Sequence, residues 1–213
     1  MIEKGNLKIG DNITLKVDLE YRNNLRIHHS ATHLLHLALR EVLGEHLTQK
    51  GSLVAHDRLR FDFSHNKALS PEEISKVELL VNKMIIQNNK ANTKLMSTEQ
   101  AIKSGAMALF GEKYDEEVRV VSMGTSTELC GGTHVKRTGD IGLLKIISES
   151  AIASGIRRIE AICGSFALTY MNSQEQRLND IALILKTPKN DIVDKISSLL
   201  KDKKYLEEEL NES

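Results

Sequence analysis

Two pairs of metal-capable side chains stand out in this sequence: His29 with His33, and Cys130 with His134. Residues at i and i+4 of a helix project from neighbouring turns of one face, so the first pair offers two imidazoles to a single cation. By itself such a pair is more often packed or solvated than ligating. The second pair stands in Cys130-Gly-Gly-Thr-His134, where Gly131 and Gly132 permit a tight turn or a positive φ that lets thiolate and imidazole converge. One sulfur and three nitrogens form the borderline-soft donor set that zinc prefers. The expectation is one zinc per chain, held by His29, His33, Cys130 and His134. Two look-alikes are excluded. The helix lacks the glutamate of His-Glu-x-x-His proteases, and there is no His-x-Glu with Cys-x-x-Cys of the nucleobase deaminases. His28, about 100° round the helix from His29, is expected at the surface. His36 is read as a bystander, and Cys163 as a small buried hydrophobe.

The elements that must position these groups follow from periodicity. From Ile27 to Leu43 a broad apolar face repeats with helical period, and Gly44 stands where the helix should end. Residues 7–19 alternate apolar and polar across a Gly-Asp-Asn turn signal and read as strand–turn–strand. Residues 52–55, 58–63, 117–122, 142–149 and 156–163 read as further strands, the last two separated by Ser154-Gly155. Ser70-Pro71-Glu72-Glu73 opens a helix to about Asn88, with an N-cap, proline at N1 and acids in the first turn. A short helix covers 98–104. Residues 165–186 and 188–210 read as two helices broken at Thr187-Pro188, carrying an apolar stripe with Lys and Glu flanks that runs to the chain end like a truncation. The predicted class is α+β. It has a mostly antiparallel sheet with helices on one face around a zinc site, followed by a C-terminal helical hairpin or extended helical tail.

With 213 residues, the chain suits one sizeable domain plus an appendage. The predicted division is 1–24 as the end of a β-rich module, 25–164 as the metal-binding domain and 165–213 as a helical linker. Twenty-nine basic residues balance 29 acidic ones, so any contact with nucleic acid needs a local basic patch rather than a global field. Aromatics are 4% of the chain and tryptophan is absent, which argues against a base-stacking platform. Two cysteines make no disulfide framework, and no apolar run reaches membrane-spanning length. A cytoplasmic protein is expected, where a thiol beside histidines stays reduced.

The residues also carry a family resemblance. His29-Ser-Ala-Thr-His33-Leu-Leu-His, Gln49-Lys-Gly-Ser52, Arg58-Leu-Arg-Phe-Asp-Phe-Ser64 and Ala108-Leu-Phe-Gly-Glu-Lys113 come first. Glu128-Leu-Cys-Gly-Gly-Thr-His134, Thr138-Gly-Asp-Ile-Gly142 and Gly155-Ile-Arg-Arg-Ile-Glu-Ala161 follow in order. Together they resemble the editing domain of alanyl-tRNA synthetase from about residue 20 to 165. The flanks resemble the end of the preceding β-barrel and the start of the segment toward the synthetase's C-terminal domain. Free-standing editing proteins of the same superfamily are the close alternative, and the C-terminal helices favour the synthetase. The module that activates alanine has no counterpart here, so aminoacylation is not expected. His28 stands where asparagine is more usual.

The resemblance implies a hydrolase that removes serine or glycine wrongly esterified to the tRNA for alanine. A pocket sized for alanine cannot exclude glycine sterically and rejects one extra hydroxyl only about a hundredfold, so a second, hydrolytic site is needed. Thr32, three residues after His29, and Gln49 are the candidates for reading the serine hydroxyl. The competing role for Thr32 is a bond to its own i−4 carbonyl. Arg157 is the candidate for the terminal phosphates of the tRNA acceptor end, against a salt bridge to Glu149 or Glu160. Lys50 and Lys113 are further candidates for phosphate contact. Expected partners are that acceptor end, the rest of the synthetase chain and, through 165–213, a second copy. The rival reading is a zinc-stabilised tRNA-binding or assembly module without hydrolysis.

Overall fold

The computed structural model describes residues 4–107 and 115–212. The fold is α+β, with the strands divided between two antiparallel sheets rather than gathered in one. The first helix, α1 (Leu19–Leu43), starts earlier than its apolar period, because Asp18 caps it by accepting the Tyr21 N–H. It ends at Gly44, whose φ of 115° suits a residue without Cβ. Then come β1 (Gln49–Val54), β2 (Leu59–Ser64) and α2 (Pro71–Ile86). Helix α2 opens with a full capping box, in which Ser70 and Glu73 each satisfy the other's backbone N–H. Strand β3 (Ala91–Ser97), short helix α3 (Thr98–Lys103), β4 (Glu117–Met123) and β5 (Ser126–Leu129) form the next unit. A hairpin of β6 (Leu144–Ala153) and β7 (Ile156–Cys163) follows, turning at Gly155 with φ +68°. The chain closes with α4 (Gly164–Leu185) and α5 (Ile192–Glu212).

The larger sheet has the order β1-β2-β7-β6, and the smaller the order β3-β4-β5. Helices α1 and α2 cover the larger sheet, burying Leu34, Leu35, Leu39, Val77 and Val81 against Phe61, Phe63 and Ile159. The Asn82 amide locks α2 to the edge of β6: it donates to the Leu144 carbonyl and accepts the Leu144 N–H, both at 2.9 Å. Helix α1 also touches β5 of the smaller sheet. It is therefore covered on two sides, and this position brings its histidines against the Cys130 segment.

Two expectations are corrected here. Residues 7–19 hold no strand before α1 begins. The turn survives, with Asp11 accepting the Lys8 N–H at 2.7 Å, but no neighbouring strand completes a ladder, and a lone hairpin is marginal in water. His28 is fully buried rather than on the surface. Its Nδ1–H donates to the Asn24 carbonyl at 2.9 Å and its Nε2 accepts the Cys163 N–H at 3.2 Å, tying α1 to the end of β7. This arrangement needs a neutral ring, and burial lowers its pKa. Cys163 is buried as expected, and burial raises its thiol pKa. Strands β3 and β5 were not foreseen.

Candidate metal centre and its cleft

Cys130 follows β5 directly, and its N–H donates to the Arg119 carbonyl on β4 at 2.9 Å. Arg119 also donates from Nη1 to the carbonyls of Gly131 (3.0 Å) and Gly132 (2.8 Å). That brace curls the loop over the N-terminal half of α1. The two glycines differ in their reason for being there. Neither has a positive φ. A Cβ on Gly131 would meet nothing, whereas one on Gly132 would lie 2.0 Å from Cε1 of His29. Close approach to an imidazole, rather than turn geometry, makes position 132 glycine.

The result is a four-residue cluster. One ligand-type atom from each of His29, His33, Cys130 and His134 lies within 4.8 Å of the others. Cys130 Sγ is 3.5 Å from His29 Nε2 and 3.4 Å from His134 Nε2. A tetrahedral zinc with bonds of about 2.0–2.3 Å would set ligand atoms roughly 3.3–3.8 Å apart, so these two edges already have the right length. The donor set and the spacing both fit a metal ion.

The ring atoms turned away from the centre are held as well. His134 Nδ1 lies 3.1 Å from Ser30 Oγ, which itself accepts the Val135 N–H at 3.1 Å. His29 has a backbone hydrogen bond with Thr133. Buried Glu128, on β5, reaches two rings of α1: its Oε1 bonds His36 Nδ1 at 3.1 Å, and its Oε2 lies 3.1 Å from His33 Nδ1. The His33 contact has ion-pair distance without hydrogen-bond alignment, since Nδ1 has no aligned partner. Such outer contacts fix the orientation of ligating imidazoles. His36 is thus a member of this network rather than a bystander. Ser30, Arg119 and Glu128 were not singled out from the sequence. Ser30 and Glu128 sit inside the motifs around the ligands, and that proximity was the only available signal.

The rings are held neutral. Burial depresses the His134 pKa to about 3, with His29 and Arg119 adding repulsion. Burial and three neighbouring histidines (His134, His29 and His36) hold His33 well below its usual value, and burial with Arg119 lowers His29. Neutral imidazole is the form that binds metal.

Beside His134 opens a cleft of about 350 Å³. Asn23 and Arg26 from α1, with Lys136 and Asp140 from the loop after the ligand motif, form its polar walls. Asp140 Oδ2 accepts the backbone N–H groups of Lys136 (3.2 Å) and Arg137 (3.0 Å). Buried Thr138 fastens the same loop to the end of α2, donating to the Met84 carbonyl and accepting the Asn89 N–H, each at 2.9 Å.

Of the remaining candidate residues, Thr32, Gln49 and Arg157 have partners of their own. The Thr32 hydroxyl is buried and donates to the His28 carbonyl at 2.8 Å, which is the competing role. Gln49 begins β1 and donates to Ser52 Oγ at 3.3 Å, and Lys50 is exposed beside it. Arg157 forms a two-pronged pair with Glu149 at 2.5 and 2.6 Å, again the competing role. Arg158 makes the same kind of pair with Asp62 at 2.7 and 2.8 Å. Lys113 and its whole motif, residues 108–113, lie outside the described residues.

The three-histidine, one-cysteine cluster lies between a long helix and the loop after a small antiparallel sheet. Residues 118–160, which hold β4 from Val118, β5, the Cys130 loop, β6 and most of β7, match the threonyl and alanyl tRNA synthetase second additional domain. Whole-chain similarity is more specific. The chain is 59% identical to the alanine--tRNA ligase of Rickettsia felis over 99% of its length. It is 57% identical to that of Rickettsia conorii over its full length, and 58% to that of Rickettsia bellii. Over its whole length the chain is homologous to these alanine--tRNA ligases, and it spans 24% of their length. No helix among the described residues is long and apolar enough to cross a membrane.

Proposed function

We propose that residues 25–164 form the editing domain of an alanyl-tRNA synthetase, hydrolysing the ester of serine or glycine wrongly attached to the tRNA for alanine. Residues 165–213 form the helical linker beyond it, and the segment before 25 belongs to the preceding module. The observation that carries the reading is the convergence of His29, His33, Cys130 and His134 within 4.8 Å beside an open cleft, in a chain homologous to alanine--tRNA ligases. Zinc is the ion proposed for the cluster. Bound there, it supplies a positive centre that anchors and polarises what lies against it.

The chain's own residues do the discriminating. Four protein ligands close a coordination shell in the manner of an organising site, so positioning by the surrounding groups carries much of the work. Thr32 spends its hydroxyl hydrogen on the His28 carbonyl, which fixes the rotamer and leaves oxygen lone pairs to accept from a serine hydroxyl. Gln49 keeps its carbonyl oxygen for the same task while its amide is steadied by Ser52. Arg157 and Lys50, with Lys113, are the proposed backbone contacts. Glu149 holds Arg157 in one pose, so it contributes fixed shape and the rest of its fork.

A second reading is an assembly module without hydrolysis. It is favoured by the exposed stripe of Leu199, Leu206 and Leu210 on α5. Single-turnover deacylation separates the two. The chain should hydrolyse seryl-tRNA for alanine faster than the alanyl ester. Thr32→Val should retain metal and erode the serine preference by roughly ten- to two-hundredfold, the range for one hydroxyl read by a polar site. Equal rates on both esters would remove the serine preference, and no rate above that of the metal-free chain would leave only the assembly reading.

A further inference from the structure

We propose that the cleft beside His134 is a phosphate clamp, in which Arg26 and Lys136 grip the phosphodiester backbone of a single-stranded RNA end and lead it to the metal centre. The inference rests on the hydrolytic reading above and adds to it a site and the residues that form it. The chain has no net charge, so RNA can be attracted only where cations lack acidic partners. Arg157, proposed above as a contact of fixed shape, adds little net attraction. Arg157 and Arg158 are each neutralised by a two-pronged carboxylate.

Arg26 is different. Its one hydrogen bond is to Asn23 Oδ1 at 3.2 Å, a neutral amide that orients the guanidinium without cancelling its charge. No carboxylate lies within ion-pair distance of it, nor of the Lys136 ammonium, among the described residues. Asp140 is the one carboxylate lining the cleft, and its Oδ2 is occupied by two backbone N–H groups. The walls therefore offer two cations to an anion, with Asn23 as a neutral donor and Ile27 and Val135 as an apolar floor against which a ribose can rest. A guanidinium fork matches two phosphate oxygens, and an ammonium adds a point charge. Arg119, which donates to the Gly131 and Gly132 carbonyls of the Cys130 loop, adds a further cation close by. His134 is at once a wall of the cleft and a member of the metal cluster, so a strand held here ends at the centre.

The test uses the zinc-loaded chain and a fluorescent RNA hairpin with a single-stranded 3′ end, followed by anisotropy across a salt series. Inorganic phosphate serves as competitor. Arg26→Gln and Lys136→Gln should each weaken RNA binding about tenfold, the loss of one charge-assisted hydrogen bond. Each should also flatten the salt dependence by about 0.7 in slope, the value for one phosphate contact on a single strand. Zinc content and melting temperature should not move, and Lys201→Gln on α5 should bind as the parent does. Inorganic phosphate should compete only weakly, because a backbone gains from successive contacts. Variants that bind within twofold of the parent with an unchanged slope would overturn the clamp, as would a parent chain that does not bind the RNA end. Seryl-ester hydrolysis by the parent, run in parallel, separates the two claims. If the parent hydrolyses while both variants still bind, the clamp alone falls. If the variants lose RNA while the parent does not hydrolyse, the clamp stands and the hydrolytic reading falls.

Discussion

Helices α1 and α5 are both long and amphipathic, yet the fold treats them in opposite ways. In α1, Leu34, Leu35, Ala38 and Leu39 are completely buried, and the buried or half-buried histidines on the same helix reach partners on the Cys130 loop, β5 or β7. In α5 only Ile192, its first residue, is buried, while Leu199, Leu200, Leu206 and Leu210 stay exposed. Periodicity marks an apolar face in both cases but says nothing about what covers it. Two layers of cover let α1 carry polar groups inward, since every inward-facing ring can be met by a donor or acceptor. That is the difference between a helix that builds a site and one that extends from it.

The largest expected effect tests the covered helix. The double substitution Cys130→Ala, His134→Ala removes the contribution of the Cys130 loop and leaves only His29 and His33. Bound zinc should fall from about one per chain to near zero, as read by elemental analysis after dialysis, because two ligands on one helix do not make a closed site. Because metal binding to such a shell contributes to folding, the melting temperature of the metal-loaded protein should fall as well. Full zinc in the double variant would show that the convergence seen here is not the metal site.

How much of this was legible in the sequence divides along the same line. The two pairs that converge were legible because each is local: four residues apart on one helix, or bracketing two glycines. The N-cap at Ser70 and the break at Pro188 were legible for the same reason. What escaped depends on distant partners. Glu128 meets His36 across 92 residues and His33 across a similar span, so no spacing rule marks it. His28 was placed at the surface by assuming that the metal face was the only buried one, and α1 has two. Strand β3 shows almost no burial alternation, and β5 runs straight into the ligand motif, so neither has the period-2 signature. Residues 7–19 have that signature without the neighbouring strands that would turn it into a sheet.

A middle-sized effect sharpens the view of α1 as a helix supported from outside the cluster. Glu128→Gln keeps the shape of the side chain but removes the charge between His33 and His36. Zinc affinity should fall roughly ten- to a hundredfold, the usual consequence of losing a supporting contact to a ligand. Competition with a chelator of graded affinity measures it. The circular dichroism of the zinc-saturated variant should match the parent, which separates orientation of the ligand from loss of fold. An unchanged affinity would mean that packing alone orients His33.

The smallest expected effect concerns the exposed helix. Ending the chain after Pro188 removes α5 and the short 3₁₀ turn before it, Lys189–Asp191. The cut keeps the whole of α4, whose Ala167 is fully buried and whose Phe166 ring lies 6.0 Å from His28, so the first turn of α4 belongs to the core. What the cut takes away is mostly solvated. Lys203–Glu207 and Lys204–Glu208 are exposed pairs four residues apart on one face of α5, a class that contributes at most a few tenths of a kcal/mol each. The one buried hydrophobic group lost among the described residues is Ile192. Removing one partly enclosed contact of this kind costs on the order of 1 kcal/mol. For a domain of this size, that moves the melting temperature by about 2–4 °C. Zinc content should be unchanged, because no ligand or supporting residue lies beyond Cys163. A shift several times larger, or a truncated chain that no longer holds zinc, would mean that the stripe on α5 is covered by this chain after all. The contrast between the two helices would then have to be withdrawn.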